Sequence, residues 1–111
     1  MPPETENRFY ILDEDNHAVP VDNALDWATW FEANRARRIV KQESVGPYWI
    51  STVFLGLDHN WFGGLPLLFE TMTFSGDSSS DVLNQDRCST WKEAEEMHRK
   101  MVDQTQRHLD G

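Results

Sequence analysis

Trp49-Ile50-Ser51-Thr52-Val53-Phe54-Leu55-Gly56-Leu57 is the stretch that decides the fold. It is rich in β-branched and aromatic residues, with apolar groups at both odd and even positions. That pattern suits a central strand covered, at least in part, on both faces. Val53, Phe54 and Leu55 are therefore expected among the least exposed residues. Leu67–Phe74 follows a loop containing Gly63-Gly64 and reads as the antiparallel neighbour. Upstream, Ile39–Val45 is a weaker strand signal, ended by the turn pair Gly46-Pro47.

Working outward, Arg8–Leu12 reads as a first strand, stopped by the turn-forming run Asp13-Glu14-Asp15-Asn16. A short extended return follows through Ala18–Val21. Asp22 or Asn23 then offers an N-cap to a helix over Leu25–Ala33, whose apolar stripe is Trp27, Trp30 and Phe31. Asn34 can close that helix in the left-handed conformation. At the other end, Thr90 and Glu93 form a capping box before a helix running to Leu109. Its stripe of Trp91, Ala94, His98, Met101 and Val102 should face the sheet, with Lys92, Glu96 and Asp103 outward. The serine-rich patch Gly76–Asp81 reads as a mobile surface loop and residues 1–7 as disordered, leaving one domain over 8–109. The order β-α-β-β-β-α predicts an α+β fold. It has a three- to four-stranded, mainly antiparallel sheet, a short helix in the N-terminal half and a long C-terminal helix packed on the sheet.

Nineteen acidic and ten basic side chains give a net charge of −9 over 111 residues. The excess is even, nine acids to five bases over 1–57 and ten to five over 58–111. Such a charge repels phosphate backbones, so direct nucleic-acid binding is disfavoured. It suits solubility, docking on a basic protein surface, or imitation of nucleic-acid charge. The single cysteine, Cys88, excludes an internal disulfide and reads as a small buried hydrophobe. There is no run of ~18 apolar residues to span a membrane. The acidic, polar start is unlike a signal peptide, so a cytoplasmic location is expected.

Chemistry-bearing residues concentrate in two places. Asp58-His59-Asn60 follows the central strand, and Glu70 interrupts the next apolar strand. With His98 on the stripe of the last helix and Arg87 as counter-charge, Asp58, His59, Glu70 and His98 are the candidate acid–base set. Of these, His59, Glu70 and His98 are the candidate ligands for zinc or iron. The competing reading makes Asp58-His59-Asn60 ordinary turn chemistry and Glu70 a partner of Arg87. The second place is Arg35, Arg37, Arg38 and Lys41. Strand alternation would put Arg35, Arg37 and Lys41 on one face, either protecting a sheet edge or contacting an acidic partner. Trp61 and Phe62, in the Gly-rich loop, are candidate anchors for a partner. No HExxH, paired-Cys spacing, phosphate loop or nucleophile elbow occurs, and no cofactor is expected.

Three stretches together, Ser51–Asn60, Pro66–Phe74 and Ser89 to Val102, resemble a family of small uncharacterised proteins of tailed bacteriophages and prophages. Phe9–Leu12 and Trp27–Trp30 extend the likeness over roughly residues 8–103. The resemblance implies a phage origin and a bacterial cytoplasm, and transfers no catalytic residue. The expectation is a small acidic accessory protein, a monomer or small homo-oligomer, that binds a host or phage protein. Inhibition of a defence or nucleic-acid-processing complex, in the manner of an anti-CRISPR, would suit it. The alternatives are a small enzyme built on Asp58, His59, Glu70 and His98, and a minor virion or assembly component.

Overall fold

A computed structural model describes residues 8–60, 63–75 and 78–111. In chain order the elements are β1 (Tyr10–Leu12), β2 (Ala18–Pro20), α1 (Ala24–Ala33), a 3-10 turn (Ala36–Arg38), β3 (Ile39–Val45), β4 (Tyr48–Phe54), β5 (Phe69–Ser75), β6 (Ser78–Cys88) and α2 (Trp91–Asp110). β3, β4, β5 and β6 make one antiparallel meander in that spatial order, while β1 and β2 form a separate two-stranded ladder. The protein is thus α+β, with the long C-terminal helix lying on a four-stranded sheet.

Strand register decides what each face carries. Ile50, Thr52 and Phe54 of β4 stand opposite Thr73, Thr71 and Phe69 of β5, and all six are buried beneath α2. The helix meets them with Ala94, Met97, His98, Met101 and Thr105. Trp91 and Val102 are half-buried, and Lys92, Glu96 and Asp103 are exposed, so the helical phase is the one its sequence predicts. Thr90 accepts from the Glu93 amide at 3.1 Å while the Glu93 carboxylate reaches back to the Thr90 amide at 3.1 Å, closing the capping box. The main apolar cluster is Leu12, Phe54, Leu68, Phe69 and Ala94, with Trp30 and Trp91 edge-on to Phe54 and Phe69. Gly56 is required where β4 leaves the sheet. Its φ is +75°, and a Cβ there would sit 2.4 Å from the Trp27 indole nitrogen.

Four expectations need correction. Phe54 is 1% exposed, but among the described elements a helix covers only one face of β4. Val53 and Leu55 are half-buried, and Trp49 is 40% exposed. Arg8–Leu12 does not join the main sheet: β1 pairs with β2 and reaches toward it by the single bridge Phe9–Leu57. The fourth strand is β6, so residues 78–81 of the serine-rich patch are strand rather than loop. Its polar residues gave no alternation because Val82–Asp86, on the outer edge, are all exposed. Asn34 has φ −125°, not left-handed, and caps α1 by donating its side-chain amide to the Trp30 carbonyl at 2.8 Å. Residues 1–7, Trp61, Phe62, Gly76 and Asp77 lie outside the described residues.

Phe69, wholly buried between Phe54 and Trp91, tests this core. Phe69→Ala should cost about 3–5 kcal/mol in urea unfolding. Leu83→Ala, at a residue 56% exposed, should stay within about 0.5 kcal/mol. Equal effects would place the core elsewhere.

Candidate functional site

The residues singled out by sequence fall on two sides of the sheet. Glu70 and Thr71 are neighbours on β5, and side chains alternate along a strand, so Glu70 points away from α2. His98 lies under α2 on the opposite face. His59, Glu70 and His98 therefore do not share a volume. Among the described residues, the one trio of His and acidic groups with ligand atoms within 4.8 Å of one another is Asp13, Asp15 and His17. Those three make a turn: Asp13 Oδ1 accepts from the amides of Asp15 at 2.8 Å and His17 at 2.9 Å. The His17 amide, ahead of smaller effects, holds the Asp13 carboxyl below its ordinary value.

On the open side, Asp58 Oδ1 accepts from the amides of Asn60 at 2.8 Å and Leu67 at 3.0 Å, and the Arg8 guanidinium donates to its carbonyl. Asp58 thus ties the loop shut across both of its ends, which is turn chemistry. Glu70 is 7% exposed, and one carboxylate oxygen accepts from both Arg87 Nε and Gln85 Nε2 at 2.9 Å. This is a paired, hydrogen-bonded carboxylate. His59, half-buried, is near enough to feel Arg87, Glu70, Asp58 and Arg8. Burial first, and then Arg87, pushes its imidazole below the ordinary 6.5, against the pull of Glu70 and Asp58.

Under α2 the structure assembles a chain that sequence reasoning missed. Thr71 Oγ1 lies 2.5 Å from Thr52 Oγ1, which lies 2.6 Å from His98 Nδ1, while His98 Nε2 lies 2.7 Å from Glu43 Oε2. With Glu43 ionised, Nε2 donates to it; the Nδ1 of a neutral ring then accepts from Thr52, whose oxygen accepts from Thr71. One direction of donation satisfies every link. The order hydroxyl, imidazole, carboxylate is that of a nucleophilic triad. Yet Thr52 is 0% exposed in the middle of β4, and the end of the chain facing solvent is Glu43. No substrate can meet the hydroxyl, so the chain is a polar strut that bolts α2 to β3, β4 and β5. The signal available in sequence was the threonine run itself: Thr52, Thr71 and Thr73 all take the parity that faces the helix stripe.

Glu43 opens on a cavity of about 460 Å³ between β3 and α2, walled by Lys41, Lys92, Glu95, Glu96 and Arg99. A larger, more apolar cleft of about 630 Å³ lies between the β1–β2 turn, Leu65–Leu68 and the start of α2. The basic cluster is not an extended face, because the chain turns through a 3-10 helix at Ala36–Arg38. Arg35 pairs with Glu32 on the surface, Arg37 donates to the Asp13 carbonyl at 2.6 Å, and Arg38 lies 3.6 Å over the Phe31 ring. Arg37 and Arg38 are thus spent inside the fold, joining α1 to its neighbours. Burial pushes the Cys88 thiol up to about 11, the opposite of nucleophile activation.

The remaining feature is the uncovered face of the sheet. By register, Ser44, Trp49, Phe74 and Val82 form one row across it, Gln42, Ser51, Met72 and Gln85 the next, and Ile39, Val53, Glu70 and Arg87 the third. Trp49, Ile39 and Val82 are 40%, 40% and 43% exposed. Among the described elements, α2 alone packs extensively on this sheet, and it lies on the other side. No protein-family model, curated protein or solved structure matches the chain.

Two outcomes are expected. Thr52→Val and His98→Ala should each destabilise, His98→Ala by about 2–4 kcal/mol, with a coupling of at least about 0.5 kcal/mol in the double-mutant cycle. Strict additivity would mean that the hydroxyl–imidazole bond contributes nothing. For His59, the folded value lies below the unfolded one, so as pH falls the unfolded chain takes the proton first. Stability from the neutral ring is present above 6.5 and is lost as pH falls through the lower folded value. His59→Gln should flatten stability against pH just below 6.5, as read by urea midpoints, and an unchanged slope would contradict the shift.

Proposed function

We propose that this is a non-enzymatic accessory protein of a phage or prophage that docks on a bacterial protein through the open face of its sheet. The observation that carries this reading is the apolar surface of Trp49, Met72, Phe74, Val82, Val53 and Ile39, on a side of the sheet that no described element covers extensively. Exposed apolar surface gathered on one face marks a contact site. Aromatic residues at its centre are the kind that anchor interfaces.

Charge selects the kind of partner. At −9 per copy, a second copy is repelled, while a basic protein surface is attracted and steered. Four strands by seven residues span about 19 Å by about 23 Å, roughly half of the ~800 Å² that each side of a standard interface buries. A tight partner must therefore extend past the face onto its rim. An acidic protein that covers a basic surface suits inhibition of a nucleic-acid-processing or defence complex, whose working surface is basic. Phage origin and a bacterial cytoplasm rest on the resemblance alone. The enzyme reading has no such support, because its four candidate residues are divided by the sheet.

The test is capture from bacterial lysate with the wild-type protein, Trp49→Glu, and Leu25→Glu on the exposed surface of α1. Wild type and Leu25→Glu should retain one stoichiometric partner that weakens as salt rises from about 0.1 M to about 0.5 M. Trp49→Glu, folded by circular dichroism, should lose about tenfold or more in affinity. Full retention by Trp49→Glu would remove the sheet face from the interface.

A further inference from the structure

The apolar residues of the open face run across it from corner to corner. By register, Ile39 on β3 and Val53 on β4 share one row, Met72 on β5 stands in the next, and Phe74 on β5 and Val82 on β6 share the last, with Trp49 of β4 beside Phe74. Both ends of this diagonal, Ile39 and Val82, are exposed. The two remaining corners are polar, and each is tied to itself. On one, Gln42 donates to the Ser51 hydroxyl at 2.9 Å, with Ser44 next along β3. On the other, Gln85 and Arg87 both donate to one Glu70 oxygen at 2.9 Å.

That outline selects the shape of what covers it. A flat partner, such as another sheet, would press on all four corners. It would bury the Gln42–Ser51 and Glu70–Arg87 groups with the stripe, and burying polar and charged groups is costly unless each is matched anew. A narrow rod leaves them wet. The diagonal crosses three strand spacings and four residues of strand rise, a length of about 20 Å. At about 1.5 Å of rise per residue, an α-helix covers that length with about 13 residues. The apolar stripe of such a helix, flanked by polar residues, is the complement of the one on the sheet. The opposite face of the same sheet already takes α2 in this way. Charge sets the flanks: against a chain of net charge −9, Lys and Arg beside the apolar stripe are favoured over Asp and Glu.

We infer that the open face receives a basic amphipathic helix of the partner, about 13 residues long and laid along the diagonal from Ile39 to Val82. The inference rests on the docking proposed above and names the element that makes it.

The experiment is photo-crosslinking of the full chain in bacterial lysate. Benzoylphenylalanine replaces Ile39 or Val82, both exposed positions that leave the core intact, and Leu25 on α1 gives the background. Crosslinks from Ile39 and Val82 should fall in one continuous segment of one partner protein, about 13 residues apart if that segment is helical. An extended segment would put them about 6 residues apart. A synthetic peptide of the segment should carry more Lys and Arg than Asp and Glu and gain helical circular dichroism on binding. A central proline in it should weaken binding about tenfold or more. Crosslinks about 6 residues apart, or in two segments distant in sequence, overturn the helix and leave the docking itself standing. So does a segment that is net acidic, fails to bind as a peptide, or binds as well with proline. No crosslink above the Leu25 background, or crosslinks only to a second copy of this chain, overturns both.

Discussion

One helix can cover one face of a four-stranded sheet, and the rest of the molecule follows from that limit. α2 spends Ala94, Met97, His98 and Met101 on a single surface, and β4 and β5 answer with Ile50, Phe54 and Phe69. α1 has no residue fully buried; it packs beside β1, with Trp27 between Phe9 and Phe31 and Trp30 edge-on to Phe54, instead of on the other side of the sheet. A meander of hairpins brings no crossover helix to that second side. Its apolar residues are left to meet solvent or a partner.

The helix–sheet layer is itself graded. At the end nearest the β1–β2 ladder it is aromatic and aliphatic, with Leu12, Phe54, Leu68 and Phe69. At its middle the sheet turns to threonine, and the contact is made by hydrogen bonds that run from Thr71 to Glu43. At the far end, where Thr73 faces Thr105, neither hydroxyl bonds across the layer and a recess opens. Polar links are directional, so the central bonds fix how α2 sits along the sheet more narrowly than apolar packing would.

Much of the fold was legible because its strongest elements carry redundant signals. α2 has a capping box and a clean stripe, and β3 begins and ends where its sequence says. β6 was hidden because an edge strand of Ser, Asp, Asn and Gln lacks the alternation that burial imposes. Apolar residues at both parities of β4 identified a central strand but not whether its second face was covered, since that depends on distant elements. At the site, pairing of Glu70 with Arg87 was readable from composition, whereas the separation of Glu70 from His98 was not. One residue of strand parity puts them on opposite sides. The partnership of His98 with Thr52 joins residues 46 positions apart, and only the packed structure brings them within reach.

The irregular registers at the two margins of the sheet have a consequence of their own. β3 slips against β4 between Ile39 and Lys41, and β6 slips against β5 between Thr73 and Ser75. Each slip breaks the even row of backbone groups that an incoming strand would need, and Lys41 puts an ammonium group beside one of them. The molecule thus resists polymerising by strand addition even though it exposes an apolar surface. Any lasting association has to be made side chain against side chain, where the identity of each residue counts. A surface built that way discriminates among partners, and a bare backbone edge would not.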